Sequence, residues 1–176
     1  MLLAAGANSG LYKFVFVLHL IAAIAGFGGV VLNGVYGAQA KKRPGVGGLA
    51  ISEANYVVSV EWAEKFIYAV SFLGVALVLV SDDAWKFSQT WVWLSLTLYL
   101  IAIGISQSVM IPSHRRLNKL SAELVAAGPP PAGGTSGPPP QVAEIEAMGQ
   151  RLAVFGGLLN VILVVIIVLM VWKPGA

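Results

Sequence analysis

Leu11–Tyr36 reads LYKFVFVLHLIAAIAGFGGVVLNGVY, and its character decides the fold. Lys13 and His19 are its only basic residues and it has no acidic one. At 1.5 Å per residue the run is about 39 Å long as a helix, enough to cross a hydrocarbon core of about 30 Å. Three further segments are long and predominantly apolar: Tyr56–Val80, Thr90–Ile111 and Leu152–Trp172. Each holds about 20 residues or more, the length of a membrane span.

Composition agrees with that reading. Of 176 residues, 57% are hydrophobic and 11% charged, against about 25% charged in soluble domains. The sequence predicts an all-α integral membrane protein, a four-helix up-and-down bundle forming one transmembrane domain over 1–176. Little chain is left for a soluble catalytic module. Cysteine is absent, which excludes disulfides, thiolate metal sites and a cysteine nucleophile. Ala23-Ile24-Ala25 resembles a signal-peptidase site, but the apolar run continues past it for longer than a signal core, so a retained helix is expected.

Charge sets the predicted orientation. The first and third loops carry Lys41, Lys42, Arg43, Arg115, Arg116, Lys119 and Arg151, whereas the opposite side has Lys13, Lys86 and Lys173. Seven basic residues against three place those loops in the cytoplasm and both termini outside. The net charge of +3 is thus a topology signal, and no nucleic-acid partner is expected. The expected location is a bacterial cytoplasmic (inner) membrane.

The loops differ in kind. In the first, Ser52 or Asn55 is the expected cap of helix two. The second, Ser81–Gln89, is a tight hairpin whose Trp85, Phe87, Trp91 and Trp93 suggest an aromatic belt at the lipid boundary, joined by Trp172. Pro112 is expected to end helix three, with His114 reaching the headgroups. The third loop contains a Pro/Gly-rich cytoplasmic linker over 128–140, two proline triplets around a Gly/Ser hinge. Leu117–Ala127 and Val142–Met148 on either side look like helical extensions.

Polar residues at membrane depth are costly and mark functional sites or buried contacts. On helix one, His19, Gly26 and Asn33 are spaced by sevens and fall near one face, with Ala22 and Gly29 close by. Such a stripe suits close helix packing. Helix two brings Glu61, Glu64 and Lys65, with Glu61 and Lys65 at the spacing of a helical ion pair. Gln107 on helix three and Asn160 on helix four complete the set of polar intramembrane contacts. Asn33, Glu61, Glu64, Gln107 and Arg151 fall in the cytoplasmic half, Asn160 near the midplane and His19 in the external half.

Three readings of His19 stand at this point: an interhelical hydrogen bond, an axial ligand to haem b or another tetrapyrrole, and a proton relay. His114 lies roughly 20–25 Å away in depth, so both histidines cannot bind one iron. A haem would need another second ligand, of which Met170 is the methionine at the right end, an open position, or a second copy of His19 from a dimer.

Leu18-His19 with Gly26, Gly28 and Gly29, followed by Trp91-Val92-Trp93-Leu94 at the start of helix three, resembles a bacterial family of four-helix predicted integral membrane proteins of unknown function. The pattern is distantly similar to copper-resistance-D-like domains and to the membrane protoporphyrinogen oxidase family. The latter resemblance implies a haem held by the helix-one histidine, here His19, and a lysine early in helix three. The matching stretch Trp93-Leu94-Ser95-Leu96-Thr97 has no lysine, so the resemblance carries over the histidine and not the oxidase chemistry. Copper handling calls for clustered Met, His or Cys ligands, which the sequence does not supply.

No nucleophile–base or acid–base constellation can be assembled from these residues, and no catalytic residue is assigned. The functional expectation is a non-enzymatic accessory subunit of a larger respiratory, photosynthetic or transport complex. Its partners would be the lipid bilayer and other membrane subunits or a second copy of itself. The alternative is a tetrapyrrole-binding membrane redox protein with His19 as ligand.

Overall fold

The computed structural model describes residues 6–128 and 139–176. The linker expected over 128–140 lies almost wholly outside them. Helix α1, Gly10–Lys41, starts where the Ser9 hydroxyl accepts the Tyr12 N–H at 3.1 Å, satisfying one of the free donors of a first turn. Its apolar body runs without a break to Lys41, and Arg43-Pro44 then turns the chain.

The second span is one rod in three parts. Helix α2, Val46–Tyr56, passes into wide π-type turns over Val57–Ala63 and then into α3, Glu64–Leu79. The third span repeats the pattern: α4, Thr90–Ile105, wide turns over Ser106–Met110, and α5, Ile111–Ala127. Helix α6, Pro140–Trp172, is unbroken. The described residues thus contain four helices long and apolar enough to cross a membrane and no strand.

Two expected boundaries are corrected. Helix two begins at Val46, ten residues before the expected Tyr56, without a side-chain cap. Ser52 instead bonds Asn118 of α5 at 2.5 Å, and Asn55 is buried and accepts from Ser59. Pro112 does not end helix three. A proline ring within a helix collides with the carbonyl four residues earlier. Here that residue is Ser108, inside the wide turns, where the loosened ladder accommodates the ring.

Packing is uneven around the bundle. Along its length α1 lies against α2 and α3, and α6 lies against α4 and α5 while also meeting α1. Gly26 and Gly29 explain the first contact. A Cβ at Gly26 would sit 3.0 Å from the Ile67 backbone nitrogen, and one at Gly29 would overlap the Ala63 methyl. The small-residue face expected on helix one is thus turned to protein, with Ala22, Gly26 and Gly29 buried. By contrast, α3 and α4 scarcely approach through their backbones and leave a seam in the wall.

The end bearing the termini is tied by aromatics. Ser81, 1% exposed, receives the Trp85 N–H and donates to the Val78 carbonyl at 2.8 Å. Trp85 then donates its indole N–H to Tyr12 and meets Trp91 edge-on at 5.4 Å between centroids. The Lys173 ammonium lies 3.8 Å from the Trp85 centroid, a cation–π contact. Phe87, Trp93 and Trp172 are exposed as a belt requires, but Trp91 is buried, a correction to its expected place in that belt.

Candidate functional site

His19 is positioned by α1 against α3. Its Nδ1 lies 3.0 Å from the Val70 carbonyl oxygen. A carbonyl can only accept, so Nδ1 carries the proton and Nε2 keeps its lone pair. The ring fits because the facing residue is Gly74, whose added Cβ would come within 3.3 Å of His19 Cε1. The carbonyl of a helical residue keeps a second lone pair beyond its own ladder bond, and His19 uses it as an interhelical clasp. His19 is not on the wall of the large cavity described next.

That cavity, about 1620 Å³, occupies the half of the bundle nearer the basic loops and reaches inward to Tyr99, Ile162 and Ile166. Asn33 from α1 and Asn160 from α6 line it, and each has a buried side-chain oxygen without a hydrogen-bond partner. The space is open along part of its wall, so in a bilayer lipid, water or another molecule can enter it.

The seam between α3 and α4 opens onto the cavity and is bridged by side chains. Tyr99 donates its hydroxyl to the Ile67 carbonyl. Nearer the basic end, Glu64 accepts from Tyr68 at 2.8 Å and from the Gln107 amide, which also lies 2.6 Å from the Tyr68 hydroxyl. Glu64, Tyr68, Tyr99 and Gln107 all line the cavity. Tyrosine bonds to these partners carried no signal in the sequence, because each depends on which helices face one another.

Of the polar residues singled out in the sequence, Glu64 and Gln107 come together, and Asn33 and Asn160 share the cavity with them. Glu61 and Lys65 do not join this set. Both are exposed, and neither belongs to the two ion pairs among the described residues, Arg116–Glu144 and Lys119–Glu123. Their expected ion pair does not form among the described residues. Arg151 is also exposed and apart. His114 lines the cavity and is half-buried, where a headgroup contact was expected.

Outside the span, α5 and α6 are joined by a forked contact. Arg116 Nε and Nη2 donate to the two Glu144 oxygens at 2.8 and 3.2 Å. The guanidinium holds the Glu144 carboxyl below the usual carboxylate range, and the carboxylate in turn raises the guanidinium. Arg115 reaches Tyr56 at 2.7 Å and fastens α5 to α2.

A family described as predicted integral membrane protein (DUF2269) matches residues 13–174. The chain belongs to this family. Its matched region takes in all four spans, His19, the seam and the cavity. No curated protein and no solved structure matches the chain. Among the described residues, no three His, Asp or Glu side chains gather as a metal site.

Proposed function

We propose that this family member is a non-enzymatic accessory subunit of a larger respiratory, photosynthetic or transport complex in a bacterial cytoplasmic membrane. The observation that carries the reading is a second hollow of about 570 Å³ on the outer side of α1. Ala25, Gly28, Gly29 and Ala63 are its small residues, and Trp62 and Phe66 are its aromatic ones. A Cβ at Gly28 would meet nothing within 4 Å, so its surface is open. Small residues beside large rings give a neighbouring transmembrane helix close backbone approach and dispersion contact. Only 17–22% of each span's apolar window is buried within the chain, leaving most of the surface to lipid or partners.

In this reading the basic loops face the cytoplasm and both termini lie outside, an orientation that the seven-to-three distribution of basic residues supports. A tag inserted at residues 128–140 tests the orientation: accessibility from the cytoplasm alone supports it, and access from outside reverses it.

Because the chain lacks cysteine, Gly28→Cys supplies a unique thiol for testing the partner. In native membranes a maleimide-benzophenone attached there should, on illumination, join it to another subunit or to a second copy. A product that remains monomeric after full illumination contradicts the reading.

A second reading makes His19 an axial ligand to haem b or another tetrapyrrole. Its support is the tautomer: a metal-bound histidine commonly donates its other nitrogen to a carbonyl, as Nδ1 does to Val70. A Soret band in the purified protein that disappears in His19→Ala would establish this reading. A colourless folded protein would remove it.

A further inference from the structure

We propose that the α3–α4 seam is a lateral doorway through which a long-chain membrane amphiphile enters, its chain filling the cavity and its donor-bearing head bonding Glu64. The seam is closed by side chains alone. Tyr99 to Ile67, and Gln107 to Glu64 and Tyr68, span a gap that the two backbones do not close. Such bridges can swing aside without breaking a helix. Wide turns adjoin the polar bridge on both rods, at Val57–Ala63 and Ser106–Met110, and turns of this kind recur at functional sites.

The chemistry of the doorway selects the head. Glu64 accepts hydrogen bonds from Tyr68 and Gln107, and neither ion pair among the described residues supplies it with a cation. A carboxylate can accept several more bonds, and a hydroxyl or ammonium head would provide one. An anionic head would meet like charge. Asn33 and Asn160 add amide groups further along the wall.

Depth selects the tail. Counting 1.5 Å per residue from Leu79 and Trp172, Glu64 lies about 13 Å farther from the terminal end than Ile166. Between them the wall includes Ile103, Ile162 and Leu163, with Gly156 and Gly157 leaving room on α6. An apolar chain fits that stretch, and its source is the bilayer on which the seam opens.

The test uses the full chain in phosphatidylcholine vesicles and three photoprobes with identical diazirine-bearing decyl tails: an amine, an alcohol and a carboxylic acid. The amine and alcohol should label the wall around Ile103 and Ile162, and the acid about tenfold less. Glu64→Gln should lower amine labelling to that of the alcohol. A Cβ at Gly157, which lines the cavity near the depth of Glu64, would meet nothing within 4 Å. Gly157→Leu should retain its helicity yet lose labelling about tenfold. The proposal is overturned by labelling indifferent to these substitutions, by equal labelling with all three heads, or by a second protein chain crosslinked in the seam.

Discussion

A histidine inside a bilayer needs a partner for each polar nitrogen it cannot send to water, and a backbone carbonyl on the next helix is a ready acceptor. His19 uses Val70 in this way, with Gly74 clearing space for the ring. Interhelical hydrogen bonds in membranes are worth about 1 kcal/mol. His19→Ala should therefore lower unfolding stability in detergent by about 1 kcal/mol while the helix content stays constant, as measured by circular dichroism during denaturant titration. A loss several times larger would show that the imidazole holds more than the carbonyl. The sequence drew attention to His19 because a lone ionisable group stands out in an apolar run. Val70 could not be read there, since its contribution is a backbone oxygen that every residue has.

At the scale of elements, glycine position separates the packed face of α1 from its free face. A methyl at Gly29 would overlap Ala63, whereas one at Gly28 points into open space. Gly29→Ala should destabilise the bundle by roughly 1–3 kcal/mol, the usual cost of overpacking. Gly28→Ala should be neutral or stabilising, because alanine is the better helix former by about 1 kcal/mol. Paired denaturant titrations check the contrast, and equal effects would contradict the assigned faces. The spans themselves were legible, since apolar length is a local property. Their ends were not, because α2 and α5 continue beyond the apolar stretch with polar sequence supported by Ser52–Asn118 and Arg115–Tyr56 contacts. The wide turns of Val57–Ala63 and Ser106–Met110 were also hidden, since nothing in the local apolar pattern marks them.

For the molecule as a whole, the basic end is held by charge and the middle by shape. The Glu144 carboxyl is depressed by Arg116 in the folded chain, so it binds protons less readily folded than unfolded. The pair's contribution is present above the unfolded value of about 4.3 and is lost as pH falls through the folded value. Amide protection factors in the first turns of α6, taken relative to the intrinsic exchange rate at each pH, should therefore fall on acidification below about pH 4.3. Glu144→Gln should remove that dependence, and an identical acid response in this variant would assign it elsewhere. The seam and cavity were not legible in sequence. Glu64, Gln107, Asn33 and Asn160 stood out as polar, but their meeting at one cavity follows from how the rods pack.

Both the cavity and its doorway rest on α3 lying tight against α1 and apart from α4. Cysteine pairs in this cysteine-free chain measure that directly, because a disulfide needs Cα atoms about 4.4–6.8 Å apart. Gly26→Cys with Ile67→Cys should oxidise readily, as an added Cβ at Gly26 lies 3.1 Å from Ile67 Cγ1. Ile67→Cys with Tyr99→Cys should stay reduced, since a whole tyrosine side chain separates those backbones. Efficient closure of the second pair in vesicles would contradict the architecture.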